Sequence, residues 1–180
     1  MELKLIWAQS MNNVIGIKNE DNKFEMPWPK NKEDLKHFKQ KTENQCVLMG
    51  YNTYLSLNKK PLVNRHNMVL TTKHLDEFNV LFDTENNPML FDGVSNINQA
   101  IRIAEFLEYK TLWIIGGKSV YEECFKNHIN KISEIYRTII TCNVNIIDNT
   151  IVMKDIPKSH FRLMNIEKLD TCNIEFWQLK

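Results

Sequence analysis

The 180-residue chain has only five glycines and five prolines. That scarcity excludes collagen-like repeats and Gly/Pro-rich linkers. Its four cysteines, Cys46, Cys124, Cys142 and Cys172, form no CxxC pair and no Cys/His cluster with metal-ligand spacing. A zinc module is thereby disfavoured, and the thiols read as small core hydrophobes in a reducing compartment. The histidines, His37, His66, His74, His128 and His160, show no metal spacing either. His37 follows Lys36 on the expected solvent side of a helix, and no histidine is assigned to catalysis. No apolar run reaches membrane-spanning length, and no signal-peptide layout precedes the first strand-like run. A net charge of +1 creates no field that would draw the protein to nucleic acid or an anionic membrane. A soluble, cytoplasmic enzyme or binding domain is the expectation.

What the chain does have is apolar content of 43%, enough at this length for one packed domain over residues 1–180. Strand-like runs fall at 3–9, 46–49, 67–71, 80–82 and 112–115. Most are continuously apolar, as in strands covered on both faces. Helical patterns lie between them at 32–41, 97–108 and 119–126. This alternation predicts an α/β domain with a largely parallel sheet. The last third differs. Residues 132–141, 161–169 and 173–179 read as longer strands with no helix between, and 170–173 as the turn of a closing antiparallel hairpin.

The few glycines mark backbone demands. Gly16 ends Val14-Ile15, Gly50 ends the run 46–49, and Gly116-Gly117 ends the run 112–115 just before a helix. Ligands of open α/β sheets bind at such strand ends. The Gly116-Gly117 pair is neither GxGxxG nor a Walker A loop, so it is equally a tight turn or an anion cradle at a helix start. Gly50-Tyr51-Asn52-Thr53 is a second strand end leading into a short helix, where Thr53 can cap, pack or touch a cofactor. After Met26-Pro27-Trp28-Pro29, helical spacing puts Asp34, Leu35 and Phe38 on one face, with Glu33 off it. A first-turn acid is favoured by the macrodipole alone, but a carboxylate among Leu and Phe also suits a flat, nitrogen-rich ring. Arg65 is an ordinary solvated loop cation or a carboxylate fork, and Thr71-Thr72-Lys73 a turn or a phosphate site.

The order of these features along the chain resembles dihydrofolate reductase. The match runs through Ala8, Val14-Ile15-Gly16, Met26-Pro27-Trp28, Asp34-Leu35 with Phe38, and Val47-Leu48-Met49-Gly50 with Thr53. It continues through Pro61-Leu62 with Arg65, Ile115-Gly116-Gly117 with Tyr121, and Tyr136 with Thr138. The resemblance implies an eight-stranded, mainly parallel twisted sheet with an antiparallel C-terminal strand and helices on both faces. It implies hydride transfer from NADPH to 7,8-dihydrofolate, giving tetrahydrofolate for one-carbon metabolism and thymidylate synthesis, and inhibition by antifolates such as methotrexate. Asp34 would hold the pterin, with Thr138 supporting it and Trp28 helping to hold water nearby. Met26 would gate the nicotinamide from the lid loop, and Tyr121 would border it. Burial beside Leu35 and Phe38 should raise the pKa of Asp34.

By the same resemblance, Ile6, Ala8, Leu35, Phe38, Leu57, Leu62 and Ile115 would wall the substrate, and Arg65 would clamp the carboxylate of its glutamate tail. Ala8, Ile15 and Gly16 would border the nicotinamide. Gly50, Tyr51, Asn52 and Thr53 would meet the cofactor from one side, and Leu70, Thr71 and Thr72 from another. Gly116, Gly117, Lys118, Ser119 and Val120 would cradle its pyrophosphate through a cis Gly–Gly peptide. The chain departs from the family where Arg or Lys usually follows the glycine of Met-Gly. Tyr51 and Asn52 stand there, so Thr71, Thr72, Lys73 and Lys118 are candidates to read the 2′-phosphate. Asp148 is a candidate in the loop before the terminal strands. A monomer without a metal is expected. Two other readings stay open: a pyrimidine reductase on the same fold, which Asp34 with Arg65 disfavours, and a folate-binding or interaction module without turnover.

Overall fold

The structure, a computed structural model, describes residues 1–21, 23–78 and 91–180. The strand expected at 80–82 lies outside the described residues. Eleven strands are described: β1 (Glu2–Ser10), β2 (Val14–Lys18), β3 (Phe24–Glu25), β4 (Cys46–Gly50), β5 (His66–Leu70), β6 (Phe91–Val94), β7 (Thr111–Gly116), β8 (Ile132–Ile140), β9 (Thr150–Val152), β10 (Phe161–Lys168) and β11 (Cys172–Leu179). The helices are α1 (Lys32–Thr42), α2 (Tyr51–Ser56), α3 (Ile97–Phe106) and α4 (Lys118–Asn127).

Eight strands form one sheet in the order β10-β11-β8-β1-β7-β4-β5-β6. Every pair from β8 to β6 is parallel, and β11 is antiparallel to both its neighbours. The expected eight-stranded, mainly parallel sheet with an antiparallel C-terminal strand is therefore what the chain forms. The wholly apolar β4 is buried along its length, as its run of Cys46-Val47-Leu48-Met49 demands. On one face of the sheet Leu3, Leu5 and Leu48 pack with Ile97 and Ala100 of α3 and with Val120 of α4. On the other, Ile6, Val47 and Met49 pack with Tyr54 of α2 and Phe38 of α1. A second sheet, β3-β2-β9, was not foreseen; it pairs Ile17 with Glu25 and with Thr150.

Two expectations need correction, and one strand went unread. The helix expected over 97–108 stops at Phe106, because Glu108 takes a positive φ of 63° that the helix cannot continue. His37 is not on the solvent side. It is half-buried with its ring 5.6 Å from Tyr136, and its Nε2 has no hydrogen-bond partner among the described residues. Burial, aided by Lys41, lowers its pKa. Lastly, β6 was not read from Phe91-Asp92-Gly93-Val94, which is too polar for a core run. A side chain at Gly93 would strike Phe78, whose Cβ lies 2.7 Å from the position a Cβ would take.

All four cysteines are free, and Cys46, Cys124 and Cys172 are buried. Burial pushes the Cys46 and Cys124 thiols up to about 12, which keeps them inert. A buried ionic knot ties β8 to β11. Arg137 donates from Nε to Glu175 at 2.8 Å and from Nη1 to Asp155 at 2.6 Å, while the indole of Trp177 donates to Glu175 at 2.8 Å. Among the described residues no helix is long and apolar enough to cross a membrane.

Candidate active site

A cleft of about 1550 Å³ opens where β1, β4, β5 and β7 end. A pocket for one drug-sized ligand is roughly 300–1,000 Å³, so the space suits two neighbouring ligands. Its walls follow from the strand ends and the helices that start there.

α1 supplies the acid. Asn31 caps the helix by accepting the Asp34 N–H at 3.0 Å. Glu33 points away from the cleft and accepts the Thr171 N–H at 2.9 Å, which fastens the helix start to the β10–β11 turn. Asp34 is left half-buried on the cleft side, where burial raises its pKa and a hydrogen bond from the Thr138 hydroxyl partly opposes the rise. Thr138, only 1% exposed, thus supports the acid from behind rather than lining the cleft. Leu35 is 41% exposed although apolar, because it faces the cleft with Phe38. Leu57 and Leu62 continue that wall.

At the far end Arg65 is already braced. Its Nε donates to the Thr42 hydroxyl at 2.9 Å, its Nη1 to the Val63 carbonyl at 2.6 Å, and its guanidinium stacks 5.7 Å from the Phe38 ring. Among the described residues Nη2 has no hydrogen-bond partner, so it remains for an anion.

The second arm is built from glycine. The Gly116–Gly117 peptide is cis, and Gly116 has φ +112°. A Cβ at Gly116 would lie 2.9 Å from the Tyr121 hydroxyl, and one at Gly50 2.9 Å from Val120 Cγ2. At Gly117 a Cβ would meet only Thr53 Oγ1, at 3.4 Å. α4 begins immediately after, with Lys118, Ser119 and Val120 at the cleft. Tyr121 is buried, donates to the Ile6 carbonyl at 2.8 Å and lies 5.2 Å from the Trp7 ring. Burial raises its pKa well above the ordinary phenol value, so it stays protonated. Bare backbone beside the start of a ten-residue helix fits a pyrophosphate-bearing cofactor.

Ile6, Ala8, Ile15, Gly16 and Ile115 line the region between the two arms, and Met26 stands over it, 53% exposed. Leu70, Thr71 and Thr72 line the outer end beside Tyr51, Asn52 and Thr53. Tyr51 offers no cation there. Its ring stacks on His74 at 3.9 Å, and its hydroxyl donates to Glu77. Lys73 makes no side-chain hydrogen bond or ion pair among the described residues, so it is available to an anion. Trp28 is not brought to the lining. It packs against the cluster of Ala8, Ile140, Cys172 and Ile174, where its apolar rings are better covered. Asp148 does not line the cleft either. Among the described residues no cluster of His, Cys, Asp and Glu could hold a metal.

Sequence reasoning missed Trp7, His74 and Asn96 as lining residues. Trp7 sits between two expected contacts, Ile6 and Ala8, and strand ends expose both faces. His74 directly follows Thr71-Thr72-Lys73. Asn96, the cap of α3, follows the unread β6.

A family profile described as "Dihydrofolate reductase" matches residues 2–177. The chain is 38% identical over 125 residues to a dihydrofolate reductase of Buchnera aphidicola, covering 68% of this chain and 65% of that protein. It is 31% identical over 182 residues to "Segregation and condensation protein A" of Mycoplasmoides gallisepticum, covering 99% of this chain but 26% of that much longer protein. The chain thus spans between about a quarter and two thirds of these relatives. Among solved structures, a dihydrofolate reductase from Enterococcus faecalis complexed with NADP(H) and RAB-propyl superposes with a TM-score of 0.73. That alignment has 22% identity and covers 99% of this chain and 96% of that one, a likeness of fold.

Proposed function

The chain belongs to the dihydrofolate reductase family, and from that premise we propose that it reduces 7,8-dihydrofolate to 5,6,7,8-tetrahydrofolate with NADPH. The observation that carries the reading is Asp34, a half-buried carboxylate in an apolar wall, sharing one cleft with the Gly116-Gly117 cradle.

In this reading Asp34 accepts hydrogen bonds from the 2-amino group and N3 side of the pterin. Because burial alone disfavours its charged form, the carboxylate gains most from a ring that offers donors in a row. The Thr138 hydroxyl keeps a share of the charged form available. Leu35, Phe38, Leu57 and Leu62 enclose the rings and exclude water from one side. Arg65, braced through Nε and Nη1, is pre-set to meet the tail carboxylate with little further ordering. Asp34 and Arg65 line the same cleft, which suits a substrate that carries both a nitrogen-rich ring and a carboxylate.

The residues that would hold NADPH are Gly50, Thr53 and Gly116 to Val120 at the pyrophosphate. Ala8, Ile15 and Gly16 would meet the nicotinamide end, and Leu70, Thr71, Thr72 and Lys73 the adenosine end. When bound, the nicotinamide supplies the hydride. The matching proton reaches N5 from solvent, so Asp34 acts by favouring the reactive tautomer, not by touching N5. Tyr121 and Ile6 fix the floor through their buried hydrogen bond. Met26 closes over the site from the segment after β3. The reading takes 1–180 as one domain and antifolates as competitive ligands. It fits a cytoplasmic setting, in keeping with four free cysteines.

The test is loss of nicotinamide absorbance with purified protein and dihydrofolate, comparing NADPH with NADH, with and without methotrexate. Methotrexate-blocked oxidation of NADPH is the expected result. Folded protein that binds folate and oxidises neither cofactor would overturn the reaction and favour a binding module.

A further inference from the structure

Among the described residues, the outermost strand of the main sheet, β10, pairs on one side only, with β11. All of its side chains but Phe161 are exposed, among them Leu163, Met164 and Ile166. An edge with this apolar content is a template for another strand. Its pairing with β11 carries a bulge between Leu163 and Asn165. Leu163 lies opposite Trp177 and Ile166 opposite Glu175, so both share one face of the sheet although three residues apart. Arg162 and Glu167, opposite Gln178 and Ile174, share the other face.

Main-chain directions follow from both ends. Lys180 N–H donates to the His160 carbonyl, and Leu169 N–H to the Cys172 carbonyl, each at 2.9 Å. Alternation from these anchors turns the free main-chain groups of Phe161, Leu163, Ile166 and Lys168 outward. The steps between these four positions are two, three and two residues, the same in either direction.

We propose that β10 is a self-complementary interface, pairing antiparallel with β10 of a second copy of this chain about a two-fold axis through the bulge. Leu163 then lies opposite Ile166 of the second copy, and Phe161 opposite Lys168, each pair exchanging main-chain hydrogen bonds. Arg162 lies opposite Glu167 at the non-hydrogen-bonded position, where side chains approach most closely. Two-fold symmetry makes each of these contacts twice. Arg162 makes no side-chain hydrogen bond or ion pair within its own chain among the described residues, so its charge is available. The bulge is what allows the match, since in a regular strand residues three apart face opposite sides. The proposal thus departs from the monomer expected from the sequence. The cleft lies away from β10, so the interface does not depend on the reaction assigned above.

The test is sedimentation velocity on the full chain over a concentration series at low salt. The unaltered protein is expected to pass from monomer to dimer. Arg162→Glu and Glu167→Arg should each weaken the dimer about tenfold or more, since like charges then face each other twice. The double variant R162E/E167R should restore it, which a damaged fold would not. A chain that stays monomeric throughout, or a dimer indifferent to the single variants, or one that the double variant does not restore, overturns the proposal.

Discussion

Replacing Gly116 with alanine should cost far more than the same change one residue on. At Gly116 the new Cβ lands 2.9 Å from the Tyr121 hydroxyl, closer than real Cβ atoms come, and a tight 3.2 Å from its Cζ. Tyr121 has no room to retreat, being 3% exposed with its ring 5.2 Å from that of Trp7. The hydroxyl must therefore give up the 2.8 Å bond to the Ile6 carbonyl. A buried hydrogen bond left unmade costs about 1–3 kcal/mol. The φ of +112° adds about 1–3 kcal/mol for any residue with a side chain. Together these predict a loss of about 2–6 kcal/mol, a large part of a typical fold stability of about 5–15 kcal/mol. Gly117→Ala meets only Thr53 Oγ1 at 3.4 Å, an ordinary contact. It should stay within about 1 kcal/mol of the unaltered fold and act on cofactor affinity instead. Urea unfolding followed by circular dichroism gives the first quantity, and titration with NADPH gives the second. Equal stabilities for the two variants, or a more stable Gly116→Ala, would refute the steric argument.

The acid, the clamp and the ionic knot carry further expectations. Asp34→Asn should abolish most turnover near neutral pH without loss of stability. Because burial raises the folded-state pKa of Asp34, the folded chain binds a proton more tightly than the unfolded one. Stability therefore falls as pH rises from the ordinary aspartate range through the raised value, and urea titrations of the Asp34→Asn variant should show that dependence removed. Arg65→Ala should raise KM for dihydrofolate about 10–150-fold, the worth of a charged hydrogen bond, and leave a tail-less pterin little changed; equal losses on both substrates would sink the clamp. Glu175→Ala should destabilise the fold by about 3–5 kcal/mol, because it strips a buried Arg137 of one partner, and a urea midpoint within error of the parent would contradict it.

Where one physical factor governs a segment, the sequence announces it. Residues 46–49 are apolar throughout because both faces are covered, and the strand lies where the run predicts. Asp34 was legible through the spacing of Leu35 and Phe38. Features set by distant partners were not. β6 depends on Phe78 filling the space that Gly93 leaves. The β3-β2-β9 sheet joins segments more than a hundred residues apart, with strands of two to five residues and no periodicity to read. Trp28 was placed by motif, but its position is decided by the cover that Ile140 and Ile174 give its rings. His37 looked solvated by its lysine neighbours, yet Tyr136 on the adjoining strand covers it.

The four tryptophans have unequal views of the cleft. Trp113 leans on Tyr136 on the face of the sheet opposite Trp7, Trp177 is buried beside Arg137, and Trp28 packs behind the wall. Trp7 alone lines the cavity floor, its indole held to Gln9 at 2.9 Å. A ring stack arriving above that floor would quench the emission of Trp7 and leave the other three as a steady background. The chain thus carries its own optical gauge of occupancy, and a Trp7→Phe variant should turn that gauge off while its ligands still bind.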